Sequence, residues 1–293
     1  MLKREIKVAL MDYTANMQND ITLVVQTGEH KKRAELMSFL KDFAKVSSRI
    51  SVEERDTAGQ LRSPVSFMLE VDGTPNGIQF SGIPAGHEFN SLVLAVLHSS
   101  GTELKLDDSL KNIVANVQQE LKFEVYMSLS CHNCPDVVQA MNQFATINPN
   151  ITTETIDGGI YPELIEKNDI QGVPTVFLNG EVFANGKVDT SQLLDKLMQR
   201  YPDISASATQ EELPLQDVTV IGGGPAGVSA AIYAARKGLK VTMIADRFGG
   251  QVKDTMGIEN LISVTKTTGP DLAAALQAHM NEYDITTKEH FRV

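Results

Sequence analysis

Apolar residues recur at helical spacing from the start of the chain, with Ile6, Ala9, Leu10, Tyr13 and Met17 on one stripe. Ile21 to Gln26, rich in β-branched residues, then predicts a strand, and Lys31 to Val46 predicts an amphipathic helix with Leu36, Phe39, Leu40, Phe43 and Ala44 on one face. Ile50 to Val52 reads as a second strand. Val65 to Val71 and Ile78 to Phe80 flank the turn-rich stretch from Asp72 to Gly77, which predicts a hairpin, and Phe89 to Leu97 closes the unit as a helix.

The same order then comes again. Phe123 to Met127 predicts a strand, Asp136 to Ala145 a helix, Thr152 to Ile156 a strand and Tyr161 to Lys167 a helix. Thr175 to Leu178 and Glu181 to Phe183 form a hairpin around Asn179 and Gly180, whose residue types supply the positive φ angles of a tight turn, and Ser191 to Met198 is a terminal helix. This is an internal repeat in which Ser63-Pro64-Val65-Ser66-Phe67 matches Val173-Pro174-Thr175-Val176-Phe177. Only the second copy has cysteines; the equivalent turn of the first reads Gly28-Glu29-His30-Lys31.

From Pro202 to Glu212 the chain is small, polar and aperiodic, which is linker composition. Beyond it, Val218 to Ile221, Pro225 to Lys237 and Lys240 to Ile244 make one βαβ unit, followed by a helix from Pro270 to Tyr283. The fold class expected is α/β. The expected domains are two similar halves at 1–110 and 111–201, a linker at 202–214, and an incomplete nucleotide-binding domain at 215–293.

Length agrees, since 293 residues exceed what one small domain uses. A net charge of -11 with dispersed basic residues argues against a nucleic-acid partner. The longest apolar runs, such as Leu92 to Leu97, are far shorter than the roughly 18 residues that span a bilayer, and no signal-type apolar region follows the first residues. A soluble, cytoplasmic chain is expected.

The 2 cysteines stand three positions apart, as Cys131 and Cys134, between a predicted strand and a predicted helix. That position offers Cys131 free backbone amides and the positive end of a helix, which stabilise a thiolate. With this spacing Cys131 attacks a partner's disulfide and Cys134, one helical turn deeper, attacks in turn to release it. The order of elements resembles the thioredoxin fold, in which the proline before the third strand is cis; Pro174 stands at that place and would present backbone to an incoming peptide. Half of a zinc site and an inert pair are the alternatives, although none of the 6 histidines has metal-ligand spacing to another. No metal is expected.

Gly222, Gly223, Gly224, Pro225, Ala226 and Gly227 follow a strand and open a helix, and Asp246 ends the next strand. This is a dinucleotide fingerprint in its required setting. Gly222 makes the tight turn, Gly224 lets backbone approach the pyrophosphate, Gly227 permits helix-on-strand packing, and Asp246 accepts from ribose hydroxyls. An ordinary solvated strand end is the alternative for Asp246. Gly249, Gly250 and Gln251 form a second glycine turn, and Gly257 to Asn260 a polar loop.

Together these stretches closely resemble the flavoprotein component of alkyl hydroperoxide reductase, an NADH-dependent peroxiredoxin reductase related to bacterial thioredoxin reductase. Ser128 to Asp136 is the most specific part of the resemblance. It implies two tandem thioredoxin-like halves and the first part of a Rossmann-like FAD-binding domain. It also implies electron flow from NADH to FAD, to a dithiol beside the flavin, to Cys131 and Cys134, and to the disulfide of the peroxiredoxin component. By the resemblance FAD rests on Gly222, Gly224, Pro225, Ala226, Gly227, Asp246, Gly249, Gly250, Gln251 and Asn260, and Glu88 of the first half helps move protons at the dithiol. The plainer alternative is that Glu88 complements a helix dipole. The family continues through an NAD domain carrying a second cysteine pair, so this chain is expected to be part of a longer product, dimeric in full-length form. A stand-alone glutaredoxin-like oxidoreductase and a non-catalytic peroxiredoxin-docking module are the rival readings.

Overall fold

The computed structural model describes residues 4–104, 106, 108–207 and 214–289. Apart from a short stretch near Asp108, the described residues through 207 form one compact unit and those from 214 a second.

The first unit is built on an eight-stranded sheet in the order β2-β1-β3-β4-β6-β5-β7-β8. Its first half runs α1 (Arg4–Thr14), β1 (Ile21–Gln26), α2 (Arg33–Ala44), β2 (Ile50–Arg55), β3 (Ser66–Val71), β4 (Thr74–Ser81) and α3 (Phe89–Ser99). The second runs α4 (Asp108–Ala115), β5 (Leu121–Met127), α5 (Cys134–Ile147), β6 (Ile151–Asp157), α6 (Pro162–Lys167), β7 (Thr175–Leu178), β8 (Glu181–Asn185) and α7 (Thr190–Arg200). In each half a parallel pair is extended by an antiparallel hairpin. The halves join through parallel pairing of β4 with β6, from Ile78 opposite Thr153 to Ser81 opposite Ile156.

Alternation along the strands divides the two faces. Ile21, Leu23 and Val25 of β1 and Leu121, Phe123 and Val125 of β5 enter one continuous apolar core with Leu36, Leu40, Phe43, Leu92, Val138, Met141 and Phe144 of the helices. On the other face, Tyr126, Ile156, Tyr161 and Phe177 make a small cluster. Beside it lies a polar network that crosses the junction of the halves. Arg62 donates to Glu154 at 2.8 and 2.7 Å and to Glu124 at 2.6 Å. Ser81 also donates to Glu154, Ser66 meets Ser81 at 2.7 Å, and the Tyr161 hydroxyl meets Ser63 at 2.6 Å.

Several elements differ from the sequence expectation. The second half opens with α4, which repeats α1 and buries Leu110 and Val114, so a boundary at 110/111 falls inside a helix. Eight residues make only about two turns, too few for periodicity to stand out. The stretch expected to begin a linker at Pro202 is helical through Ser207 as α8, anchored by Ile204 in the main core; residues 208–213 lie outside the described residues. β2 continues through Glu53, Glu54 and Arg55, because pairing with β1 overrides their low strand propensity and an edge strand tolerates charge.

The second unit has β9 (Val218–Ile221), α9 (Pro225–Arg236), β10 (Val241–Ala245), α10 (Gly269–Met280) and β11 (Ile285–Glu289). Its parallel sheet runs β11-β10-β9 over a small core of Val228, Ile232, Met243, Phe248 and Met280. β11 is an addition to the sequence expectation. Its Thr-Thr-Lys-Glu composition lacks an apolar run, and register with β10 from Val241 opposite Ile285 fixes it.

Candidate redox and dinucleotide sites

Cys131 and Cys134 are joined as a disulfide with Cα atoms 5.5 Å apart. Cys134 is the first residue of α5 and is fully buried, while Cys131 is half-buried in the turn after β5, its amide bonded to the Ser128 carbonyl at 2.9 Å. Pro135 starts the helix without needing an amide hydrogen. The Cys131 sulfur lies 3.7 Å from the Val173 carbonyl oxygen, and the Val173–Pro174 peptide bond is cis. A cavity of 320 Å³ adjoins this segment, lined by Ile170, Gly172, Val173, Phe177 and Val182.

The cysteine-free half reaches the same place. The chain leaves β4 at Ser81 and passes Gly82, whose positive φ of 140° and closeness to Asp157 leave no room for a side chain. At Gly86 a Cβ would stand 3.1 Å from the Leu129 carbonyl, just before the disulfide. The His87 ring packs against that of His132, with centroids 4.2 Å apart and planes tilted by 46°. Glu88 follows, fully buried, at the junction with α3. Its side chain makes no capping hydrogen bond to the amides of α3, and neither carboxylate oxygen has a hydrogen-bond partner. Burial pushes this carboxyl up to about 7; the nearby Ser91 hydroxyl pulls against the shift and the charge of Asp136 adds to it. Asp157, buried at the end of β6, is also raised by burial, and its bond from the Gly159 amide and the charge of Lys32 oppose that.

Sequence reasoning missed His87, Asp157, Ser91 and Gln139, since nothing in local pattern tells a polar residue near a distant motif from a solvated one. The structure also shifts the comparison of turns. Counted back from the first helical residues, Arg33 and Cys134, it is His30-Lys31-Lys32-Arg33 that stands where Cys131-His132-Asn133-Cys134 stands. Among the described residues no group of three or more His, Cys, Asp or Glu is assembled as a metal site.

In the second unit the two glycine turns come together. The Gly249 amide donates to the Gly223 carbonyl at 2.9 Å. A Cβ on Gly250 would stand 3.2 Å from the Gly224 Cα. Gly222 has a positive φ of 113°, and Gly224 caps α9 without a side chain, ahead of Pro225 and Ala226 in the first turn. A Cβ at Gly227 would lie 1.8 Å from the Gly222 carbonyl oxygen, so only glycine lets α9 pack on that turn; at Gly224 it would meet nothing within 4 Å. Open space before unpaired helix amides suits a pyrophosphate, so these residues fit the phosphate part of a dinucleotide. Asp246 is half-buried just past β10. Gln251 and Asn260 are exposed, and among the described residues no hydrogen bond ties them to the glycine turns.

Comparison with known proteins bears on both units. Residues 121–199 match a thioredoxin domain family and residues 217–276 a family of FAD dependent oxidoreductases. The structure resembles the crystal structure of the NTD_N/C domain of alkylhydroperoxide reductase AhpF from Enterococcus faecalis, with 31% identity and a TM-score of 0.63 over 67% of this chain and 100% of that one. The chain belongs to the AhpF family of alkyl hydroperoxide reductases. The family member from Staphylococcus aureus is 43% identical over 97% of this chain and 54% of its own length. A Bacillus subtilis protein named NADH dehydrogenase is 47% identical over 97% of this chain and 54% of its own. The chain thus spans about half the length of the curated relatives it matches. It is a member of a flavin-dependent oxidoreductase family with a tandem thioredoxin-like region and the beginning of a Rossmann-like FAD-binding domain. Among the described residues no helix is long and apolar enough to cross a membrane.

Proposed function

We propose that this chain of the AhpF family passes electrons that originate in NADH, by way of FAD, to the disulfide of a peroxiredoxin, and so supports hydroperoxide reduction in the cytoplasm. The observation that carries the reading is the pairing of a half-buried Cys131 against the Val173 carbonyl with a fully buried Cys134 at the start of α5. In the dithiol form Cys131 is the sulfur a partner can reach. Its thiolate attacks one sulfur of the partner's disulfide, and the other partner sulfur leaves as a thiolate with the bonding pair. Cys134 then gives up its proton and attacks Cys131, which restores the intramolecular disulfide and releases the second partner thiolate. Two electrons have moved to the partner. The buried thiol of Cys134 cannot pass its proton directly to water, and Glu88, poised near 7 beside the first turn of α5, serves as the proton acceptor. The backbone at Val173 and Pro174 holds the extended peptide that carries the partner's disulfide.

In the second unit Gly222, Gly224, Pro225, Ala226, Gly227, Gly249 and Gly250 would hold the pyrophosphate of FAD and Asp246 its ribose, with Gln251 and Asn260 on the loops that border it. Bound there, FAD supplies a two-electron store between the nicotinamide and the thiols.

The test uses the reduced chain, freed of small thiols, mixed with an oxidised two-cysteine peroxiredoxin. Wild type converts the peroxiredoxin to its dithiol form, Cys131→Ser does not, and Cys134→Ser accumulates a covalent adduct of the two chains. Undiminished reduction by Cys131→Ser would overturn the assignment.

A further inference from the structure

The seam where α3 meets α5 carries polar groups at positions that two apolar helix faces would otherwise fill. Ser91, on the first turn of α3, is fully buried like Glu88. From α5, Gln139 donates its side-chain amide to the Ser91 hydroxyl oxygen at 3.3 Å. A serine hydroxyl has one hydrogen, so Ser91, accepting from Gln139, keeps its own O–H free to donate. Among the described residues that O–H meets no main-chain carbonyl. One helical turn back stands the buried Glu88 carboxylate, whose two oxygens lack partners. The charge that acts on it is that of Asp136 in the first turn of α5, and its chain neighbour His87 packs on His132 of the turn that holds Cys131 and Cys134.

We propose that Gln139 and Ser91 are positioning residues: Gln139 of α5 holds the Ser91 hydroxyl oxygen and leaves its O–H to turn onto the unpartnered Glu88 carboxyl, a relay that orients that carboxyl and favours its anionic form, ready to take a proton from the dithiol. The proposal rests on the proton-accepting role of Glu88. Gln139 sets the direction of the Ser91 hydroxyl, and Ser91 supplies the donor a buried carboxylate otherwise lacks. The relay therefore links the redox helix of the second half to the acid of the first.

The dithiol form of the whole chain is mixed with the aromatic disulfide DTNB between pH 5.5 and 9. The first exchange breaks the DTNB S–S bond and releases one thionitrobenzoate. In the second, Cys134 passes its proton to Glu88, attacks the mixed disulfide at Cys131 and releases another. Wild type gives a second-phase rate with an inflection set by Glu88. Ser91→Ala and Gln139→Met each move that inflection to higher pH and slow the second phase near pH 7 by roughly three- to tenfold, the net weight of one ordinary hydrogen bond. The double variant is no slower than the slower single one, because both changes break the same chain. Ser91→Thr, which keeps a hydroxyl, restores the inflection. Gln139 is half-buried, so Gln139→Met decides the matter if Ser91→Ala does not fold. An inflection removed by Glu88→Gln but unmoved by Ser91→Ala and Gln139→Met refutes the relay and leaves Glu88 in its role. An inflection that survives Glu88→Gln overturns that role and the relay with it.

Discussion

Glu88→Gln measures what it costs the fold to keep this carboxyl buried. Its pKa rises from 4.5 to about 7, mainly through burial. The folded chain therefore holds a proton that the unfolded chain has released between those two values. The neutral form stabilises the fold, so the contribution is complete below pH 4.5 and is lost as pH rises through 7. A difference of 7 minus 4.5 is 2.5 pH units. At about 1.4 kcal/mol per unit, the lost stability is about 3 kcal/mol, reached by about pH 8. Glutamine does not ionise. The stability of Glu88→Gln relative to wild type should accordingly grow by about 3 kcal/mol from acid to mildly alkaline pH, or about 6–12 °C in the melting temperature of a unit of this size. Urea unfolding of both oxidised proteins, followed by far-ultraviolet circular dichroism across that range, reads the difference directly. Burial also raises Asp157 and lowers His98, but both are common to the two proteins and cancel. If the two stability curves run parallel with pH, Glu88 is not a buried carboxyl with a raised pKa, and the argument for its proton transfer loses its basis.

Gly227→Ala and Gly224→Ala should separate packing from ligand approach. The first puts a methyl onto the Gly222 carbonyl and should destabilise the second unit by more than about 3 kcal/mol, seen as lost amide-exchange protection in β9 to β11. Gly224→Ala meets open space at a φ of -76°, so protection should persist while FAD binding, followed by flavin fluorescence, weakens; unchanged binding would remove Gly224 from the pyrophosphate site. Arg62→Met strands the buried Glu154 beside Glu124 and should cost about 2–3 kcal/mol in urea unfolding, whereas a loss under about 0.5 kcal/mol would mean that the network does not hold the halves together. After reduction, iodoacetamide should label Cys131 well before Cys134, as peptide mass spectrometry would show; the reverse order would contradict the assignment of the outer sulfur.

Period and spacing made most of the sheet legible. β1, β7 and β9 begin and end where the pattern predicts, and each has a largely buried partner strand. Short amphipathic pieces escaped, α4 and α8 among them, because one or two buried residues decide them and long-range packing supplies those contacts. Cys131 and Cys134 declare themselves by chemistry alone, and the glycines of the second unit by their order after a strand. Ser91, Gln139 and His87 had no such mark, since each takes its meaning from a partner far away in sequence.

One register explains why that distant half matters. β4 pairs with β6 so that Ser81 lies opposite Ile156, and β5 pairs with β6 so that Tyr126 lies opposite Ile156 as well. The segments after β4 and β5 therefore leave the sheet at the same level, two strands apart. One goes on to His87 and Glu88, the other to Cys131. A slip of one residue in the β4–β6 pairing would turn the buried side chains of β4 to the wrong face, so the apolar core that fixes the register also fixes the approach of Glu88 to α5. The first half meanwhile has Arg33 at the position of Cys134, donating to the Gln26 and Pro64 carbonyls and paired with Glu54. At the matching turn a cationic strut replaces a redox sulfur. With no cysteine at that turn, what the first half brings to the neighbouring redox turn, under the proposed function, is the buried acid Glu88.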